Sequence, residues 1–310
     1  MTNITIVTEF ILLGFSTSEN MYILHSVLFL LIYLCALMGN VLIIMITTLD
    51  HHLQTPMYFF LKNLSFLDLC LISVAAPKSI ANSWIHNNSI SFLGCVSQVF
   101  LLLFSASAEL FLLTMMSFDR YAAICHPLRY EVIMNRDTCM HSAAVSWLYG
   151  GLIAVMHTAG TFSLSYCGSN MVHQFFCDIP QLLAISCSET LVREIVPIFI
   201  NVVLDFCCLI FIIITYVYIF SAVRKIPSTE GQSKAYSTCL PHLVAVVLFL
   251  LTGFIAYLKP VSESPSISDV VISVFYTMMP PTFNPIIYSL RNKAMKVALR
   301  MLIKGRLSKK

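Results

Sequence analysis

Seven long apolar runs decide what this chain can fold into. They occupy residues 22–48, 57–80, 90–118, 140–166, 195–223, 235–258 and 267–290, with polar or charged clusters between them. A bilayer-crossing helix needs roughly 20 mostly apolar residues, so each run is long enough to span. Strands of an outer-membrane barrel would read as alternating segments of about 10 residues, less than half this length. Composition agrees: 58% of residues are hydrophobic and 11% charged, where soluble domains carry about 25% charged residues. Mean hydropathy is +0.84. A soluble enzyme, a disordered chain and a collagen are thereby excluded. The expected fold is an all-α membrane protein, a seven-transmembrane-helix bundle over 22–290 with an amino-terminal tail 1–21 and a carboxy-terminal tail 291–310.

Lys and Arg set the expected orientation, because cytoplasmic loops collect positive charge. With the amino terminus outside, the inner segments hold Lys62, then Arg120, Arg129 and Arg136, then Arg224, Lys225 and Lys234, and eight more within 291–310. Only Lys78, Arg193 and Lys259 fall outside. No Lys or Arg precedes Lys62, so the basic front end of a cleavable signal peptide is missing. The first span is expected to act as its own insertion signal, giving a multi-pass plasma-membrane protein.

The same topology sorts the cysteines. Cys95, Cys167, Cys177 and Cys187 fall on the outer side, where disulfides persist, and four cysteines allow three pairings. The other seven read as small apolar side chains. Sequons occur at Asn3, Asn63 and Asn87. Asn3, in the outer tail, is the expected glycosylation site; Asn63 sits at an inner helix end. Beyond residue 290, Lys293, Lys296, Arg300 and Lys304 recur at three- and four-residue steps, with Met295, Ala298, Leu299 and Leu302 on another face. That pattern reads as a basic amphipathic helix lying on the anionic inner leaflet.

Five stretches in order then point to a family. They are Gly39-Asn40, the Pro56-Met57-Tyr58-Phe59-Phe60-Leu61 segment, the Met116 to Tyr130 stretch containing Asp119-Arg120-Tyr121, the Lys234-Ala235-Tyr236-Ser237-Thr238-Cys239 segment, and Pro280-Pro281-Thr282-Phe283-Asn284-Pro285-Ile286-Ile287-Tyr288. Together they resemble the olfactory receptor family of rhodopsin-like G-protein-coupled receptors over nearly the whole chain. Leu240-Pro241-His242-Leu243 and Leu258-Lys259-Pro260 look like its tetrapod-type branch.

The resemblance implies roles. Asp119 and Arg120 form a latch that releases toward an intracellular partner, a task suited to the planar, many-donor guanidinium. Tyr121 completes that motif. Asn40, Asp68, Glu109 and Asn284 are polar groups deep in four spans, where such residues face the bundle interior, and the family places a rearranging hydrated network there. Pro285 frees a backbone acceptor, and Tyr216 and Tyr288 resemble the tyrosines that swing inward on activation. The family pairing of the outer cysteines is Cys95–Cys177 with Cys167–Cys187; Cys95–Cys187 is the rival. The implied partners are a small odorant, a heterotrimeric G protein of the Gs/olfactory type and membrane lipids, with no nucleic acid, no cofactor and no enzymatic activity. His173, Cys177 and Asp178 fall short of a metal site once Cys177 is in a disulfide.

The resemblance also implies that ligand sits in the outer half of the bundle, among the third, fifth, sixth and seventh spans. Leu102, Leu103, Ala106 and Ser107 share one face of the third span, opposite Ile200, Asn201 and Leu204, then Gly253 and Tyr257, then Val274 and Thr277. The set is mostly apolar with a few hydroxyls and one amide, suited to small, largely apolar molecules. Asp205 reads equally as a ligand contact or an internal partner. Phe249-Leu250-Leu251 stands where the family often reads Phe-Tyr-Gly, which removes one interhelical hydroxyl. Competing readings are a chemosensor for a non-odorant metabolite and a secondary transporter; the internal repeats and paired broken helices of transporters are missing.

Overall fold

Seven helices carry the apolar runs: α1 (Glu19–Leu49), α2 (Pro56–Ile85), α3 (Phe92–Cys125), α4 (Arg136–Phe162), α5 (Val192–Val223), α6 (Thr229–Leu258) and α7 (Ile267–Arg291). All seven contain segments long and apolar enough to cross a membrane. The computed structural model describes residues 7–13, 19–85, 87–166, 170–187, 192–259, 267–291 and 293–303. Asn3 and Cys167 lie outside the described residues.

Several helices outrun their apolar stretches. The fourth begins at Arg136 rather than 140, and the sixth at Thr229 rather than 235. Hydropathy reads the hydrocarbon slab, whereas the helix continues until its amide groups find a cap. Asn135 caps α4 by accepting from the Thr138 amide at 2.8 Å, and Ser228 caps α6 by accepting from the Gly231 amide at 3.1 Å.

Two glycines let helices approach closely. A Cβ on Gly150 of α4 would lie 2.6 Å from the Phe104 carbonyl oxygen and 2.8 Å from the Ala108 Cβ of α3. A Cβ on Gly39 of α1 would lie 2.8 Å from the Pro285 Cβ of α7. Small residues at helix crossings are a common packing device in membranes, where lipid is as apolar as the side chains it would replace.

A small sheet closes one end of the bundle. Its central strand is β1 (Glu9–Leu12), antiparallel to β2 (Ser89–Ser91), which leads into α3, and parallel to β3 (Met171–Val172) in the loop between α4 and α5. Phe10 is fully buried, its ring edge-on to Tyr166 with centroids 5.4 Å apart. The amino-terminal tail therefore contains a strand on which the loops of the sheet end are organised. After α7 a further helix, α8 (Lys293–Ile303), buries Met295 and Ala298 against the bundle while Lys296 and Arg300 face outward.

Candidate functional site

Three polar centres lie along the bundle. The deepest joins α2, α3 and α7. Asn284 donates through Nδ2 to both carboxylate oxygens of Asp68, each at 3.1 Å, and to Glu109 Oε1 at 3.1 Å. Asp68 and Glu109 are wholly buried. Asn40 enters from α1, donating to the Ala36 carbonyl at 3.0 Å and the Pro281 carbonyl at 2.8 Å. Pro285 has no amide hydrogen to give the Pro281 oxygen one helical turn back, so Asn40 satisfies that acceptor from a neighbouring helix. All four polar residues singled out in the sequence meet at this level, three of them in direct contact.

The second centre is at the end opposite the sheet. Arg120 pairs with Asp119 at 2.9 Å, and Asp119 also accepts a 2.7 Å hydrogen bond from the Tyr130 hydroxyl. Tyr130 stands on a one-turn helix, Tyr130–Ile133, between α3 and α4. Burial, followed by the charge of Asp119, pushes its phenol well above the usual range, so it stays a donor. Nearby, the Tyr216 hydroxyl lies 2.7 Å from His242 Nδ1, and His242 Nε2 lies 2.9 Å from the Leu113 carbonyl. That chain ties α3, α5 and α6 together. Among the described residues the buried Tyr288 hydroxyl has no hydrogen-bond partner, and the Tyr121 hydroxyl reaches His126 Nε2 at 3.1 Å. The roles of Tyr130 and His242 escaped sequence reasoning, because their partners lie on other elements.

The third centre is beneath the sheet. A disulfide joins Cys95 of α3 to Cys177 in the following loop, with Cα atoms 5.4 Å apart. Cys187 is also disulfide-bonded, and its expected partner Cys167 lies outside the described residues. The Cys95–Cys177 bond presses the segment from Gln174 to Asp178 down between the helices. Gln98 accepts from the Cys177 amide at 3.0 Å and donates to the Val74 carbonyl at 2.9 Å. Asp178 is buried and accepts from the Ile179 amide at 2.8 Å, from Tyr257 of α6 at 3.3 Å and from Tyr276 of α7. Burial raises its carboxyl above the ordinary carboxylate range against the pull of those donors and of Gln174. Above it, His173, Gln174, Lys259 and Asp269 line a polar cleft, with Lys259 and Asp269 ion-paired.

The residues expected to line a ligand site distribute unevenly around this centre. Leu102 packs with Phe175 and Phe176 of the inserted loop, and Leu103 packs with the cluster under the sheet. Ser107 is buried on α3 and Ala106 half-buried. Val274 is half-buried on α7, and the Thr277 hydroxyl is turned back onto the Ser273 carbonyl at 2.7 Å. Tyr257 offers its ring, 48% exposed, while its hydroxyl is held by Asp178. Gly253 has open space where a Cβ would stand. Ile200 and Leu204 are 42% and 38% exposed. Asn201 donates to Asp205 at 3.2 Å, and Tyr149 of α4 donates to the other oxygen of Asp205 at 3.2 Å. Asp205 is thus an internal partner. Sequence reasoning weighed Asp178 only as a metal ligand and missed its place as the shared acceptor of Tyr257 and Tyr276, although its position next to a disulfide cysteine ties it to the top of α3. Among the described residues no cluster of His, Cys, Asp or Glu is arranged to hold a metal.

Comparison with known proteins fits this geometry. A sequence family described as olfactory receptor matches residues 29–305. The chain is 85% identical to human olfactory receptor 14A16 over 310 residues, covering 100% of both chains. It is 57% identical to human olfactory receptor 14A2 over 303 residues (98% of this chain, 96% of that one) and 54% identical to olfactory receptor 14L1 over 298 residues (96% and 92%). Seven spans, an Arg120–Asp119 ion pair at one end and a loop pinned by a disulfide at the other are thus found in a chain that belongs to the olfactory receptor family, multi-pass odorant receptors that couple to G proteins and are not enzymes.

Proposed function

We propose that this receptor binds a small, neutral, mostly apolar volatile in the sheet-side half of the bundle and raises cyclic AMP through a G protein of the Gs/olfactory type. The sheet end faces outward and Arg120 faces the cytoplasm, the orientation favoured by the Lys and Arg distribution. Ligand contact falls to Leu102, Leu103, Ala106 and Ser107 of α3, Ile200, Asn201 and Leu204 of α5, Gly253 and Tyr257 of α6, and Val274 and Thr277 of α7.

The observation that carries the ligand class is how the nearby acids are occupied. Asp178 already accepts from Ile179, Tyr257 and Tyr276, and Asp205 from Tyr149 and Asn201. A cationic ligand would have to displace these donors or sit unpaired in an apolar site, at a cost of several kcal/mol. A neutral molecule needs only apolar contact, about 25 cal/mol per Å² removed from water, and one hydrogen bond for orientation. Such contacts are few, so affinity is micromolar, about −8 kcal/mol.

Activation then runs downward. Ligand draws α6 inward at Tyr257, the Asn284 cluster rearranges around the break at Pro285, and Tyr216 and Tyr288 turn toward Arg120. Arg120 leaves Asp119 and meets the G protein. A cyclic-AMP screen of a diverse volatile panel, normalised to surface receptor, tests this. Neutral alcohols, ketones, esters or terpenoids are expected among the agonists, with responses weakened by Ser107→Ala and Tyr257→Phe. Potent activation by a quaternary amine would overturn the ligand class.

A further inference from the structure

The buried stripe of α5 stops halfway up the bundle, and that of α6 thins over the same stretch. On α5 the stripe Ile212, Tyr216, Ile219 and Val223 is buried, at helical three- and four-residue spacing. One turn further out the same stripe passes through Cys208 and Leu209, then Asp205 and Asn201, all only half-buried, and ends at Ile198, 37% exposed. From Ile195 to Phe211 no side chain is buried at all. On α6 the stripe Cys239, His242, Ala245 and Val246 is buried. Its continuation is mixed: Phe249, Leu250 and Gly253 are half-buried, Thr252 is buried and Tyr257 is 48% exposed. The inner halves are fastened by Tyr216 to His242 and by the Phe220 and Tyr236 rings, 5.9 Å apart. In the outer half, α5 is instead held to α4 through Tyr149 and Asp205.

The aqueous entrance has the opposite character. Phe175, Phe176 and Cys177 are buried under the sheet, and the cleft above them is lined by His173, Gln174, Asp178, Lys259 and Asp269. An apolar solute entering from water would cross a packed plug behind a charged rim.

We propose that the outer halves of α5 and α6 form a lateral gate through which a small apolar ligand enters from the bilayer. The inference rests on the reading that such a ligand binds between these helices. The occupant follows from the surroundings: the seam opens between helix faces carrying Phe199, Val203, Phe206, Leu251 and Phe254, all exposed, so what reaches it is whatever dissolves among acyl chains. Gly253 lies on this half of α6, and a Cβ there would meet no atom within 4 Å. The bilayer concentrates apolar volatiles, and the gate admits them from that reservoir.

The test uses the full-length receptor in bilayer nanodiscs and a photoreactive diazirine derivative of a medium-chain aliphatic alcohol, with adducts mapped by mass spectrometry. A second probe carries the same diazirine on a sulfonate, which the bilayer excludes. The expected result is that the alcohol probe, loaded into the lipid before the receptor is illuminated, labels peptides around Asn201 to Leu209 and Phe249 to Tyr257, and that the sulfonate probe does not. Gly253→Ala is expected to keep the label and Gly253→Phe to lose it, both at wild-type monodispersity. Should Gly253→Phe fail to fold, the comparison of the two probes on the wild-type receptor still decides. Equal labelling by the sulfonate probe, or label confined to the Gln174 to Asp178 loop, overturns the gate and assigns entry to the aqueous side. Label spread evenly over the lipid-facing side of α1 also overturns it. The ligand reading itself fails separately, if no neutral volatile raises cyclic AMP in cells.

Discussion

Asn40 on α1 donates to the carbonyl of Pro281 on α7, the acceptor that Pro285 cannot serve. The 2.8 Å bond repairs a helix from outside, and Gly39 makes it possible by letting α1 lie against Pro285. The pair Gly39-Asn40 is one device: the glycine supplies the approach and the amide supplies the proton. Asn40→Ala leaves a buried carbonyl unsatisfied, at about 1–3 kcal/mol. A drop in the thermal transition of purified receptor is expected, together with lower surface expression. Gly39→Leu, which separates the helices, is expected to lose more. A transition unchanged in Asn40→Ala would remove this bond from the energetics.

How much of this was legible in the sequence follows from the range of each interaction. The spans and the buried polar groups Asn40, Asp68, Glu109 and Asn284 were readable because an ionisable or amide group in an apolar run has nowhere to go but inward. The strand Glu9–Leu12 was not. Its four residues carry no clear alternation, and its partners Ser89–Ser91 and Met171–Val172 are about 80 and 160 positions away. The helix faces were only partly readable. Periodicity put Ile200 and Leu204 on one face, but it does not say whether the neighbouring helix closes over that face, and in the sheet-side half of α5 it does not.

At the end opposite the sheet Asp119 is shared by Arg120 and Tyr130. Removing the Tyr130 hydroxyl leaves the Arg120 pair as the only restraint on Asp119 among those described. Tyr130→Phe is therefore expected to raise basal cyclic AMP at matched surface level, since one charge-assisted bond to a buried carboxylate contributes about 1.5–3 kcal/mol. Arg120→Ala is expected to abolish the ligand-driven response with surface expression retained. Normal signalling by Arg120→Ala at matched surface level would take Arg120 out of the coupling step.

Asp178 is expected to make the stability of the sheet end depend on pH. Its carboxyl is raised above the ordinary value of about 3.9 because burial opposes the charge. The stabilising contribution of an acid raised in this way is complete below its unfolded pKa and is lost as pH rises through its folded one. The thermal transition of wild-type receptor is therefore expected to fall, as pH rises above the ordinary carboxylate value of about 3.9, by more than that of Asp178→Asn. The asparagine keeps an acceptor for Tyr257 or Tyr276 and has no proton to lose. Parallel pH profiles of the two proteins would remove Asp178 as the source.

The small sheet offers the sharpest test of whether the amino-terminal strand is part of the receptor fold. Phe10 packs in one cluster with Cys95, Val99, Leu103 and Cys177, so strand and disulfide hold down the same surface from two sides. Truncating a buried Phe costs about 3–5 kcal/mol, and opening a disulfide about 2–4 kcal/mol. Phe10→Ala and Cys95→Ser are each expected to lower surface expression steeply. Because the two share partners, their effects should fall short of additivity: once the strand is lost, the disulfide has less packed structure to hold. The readout is the thermal transition of the two single variants and the double variant, purified side by side. A double variant that loses the full sum would mean that strand and disulfide stabilise separate parts of the molecule.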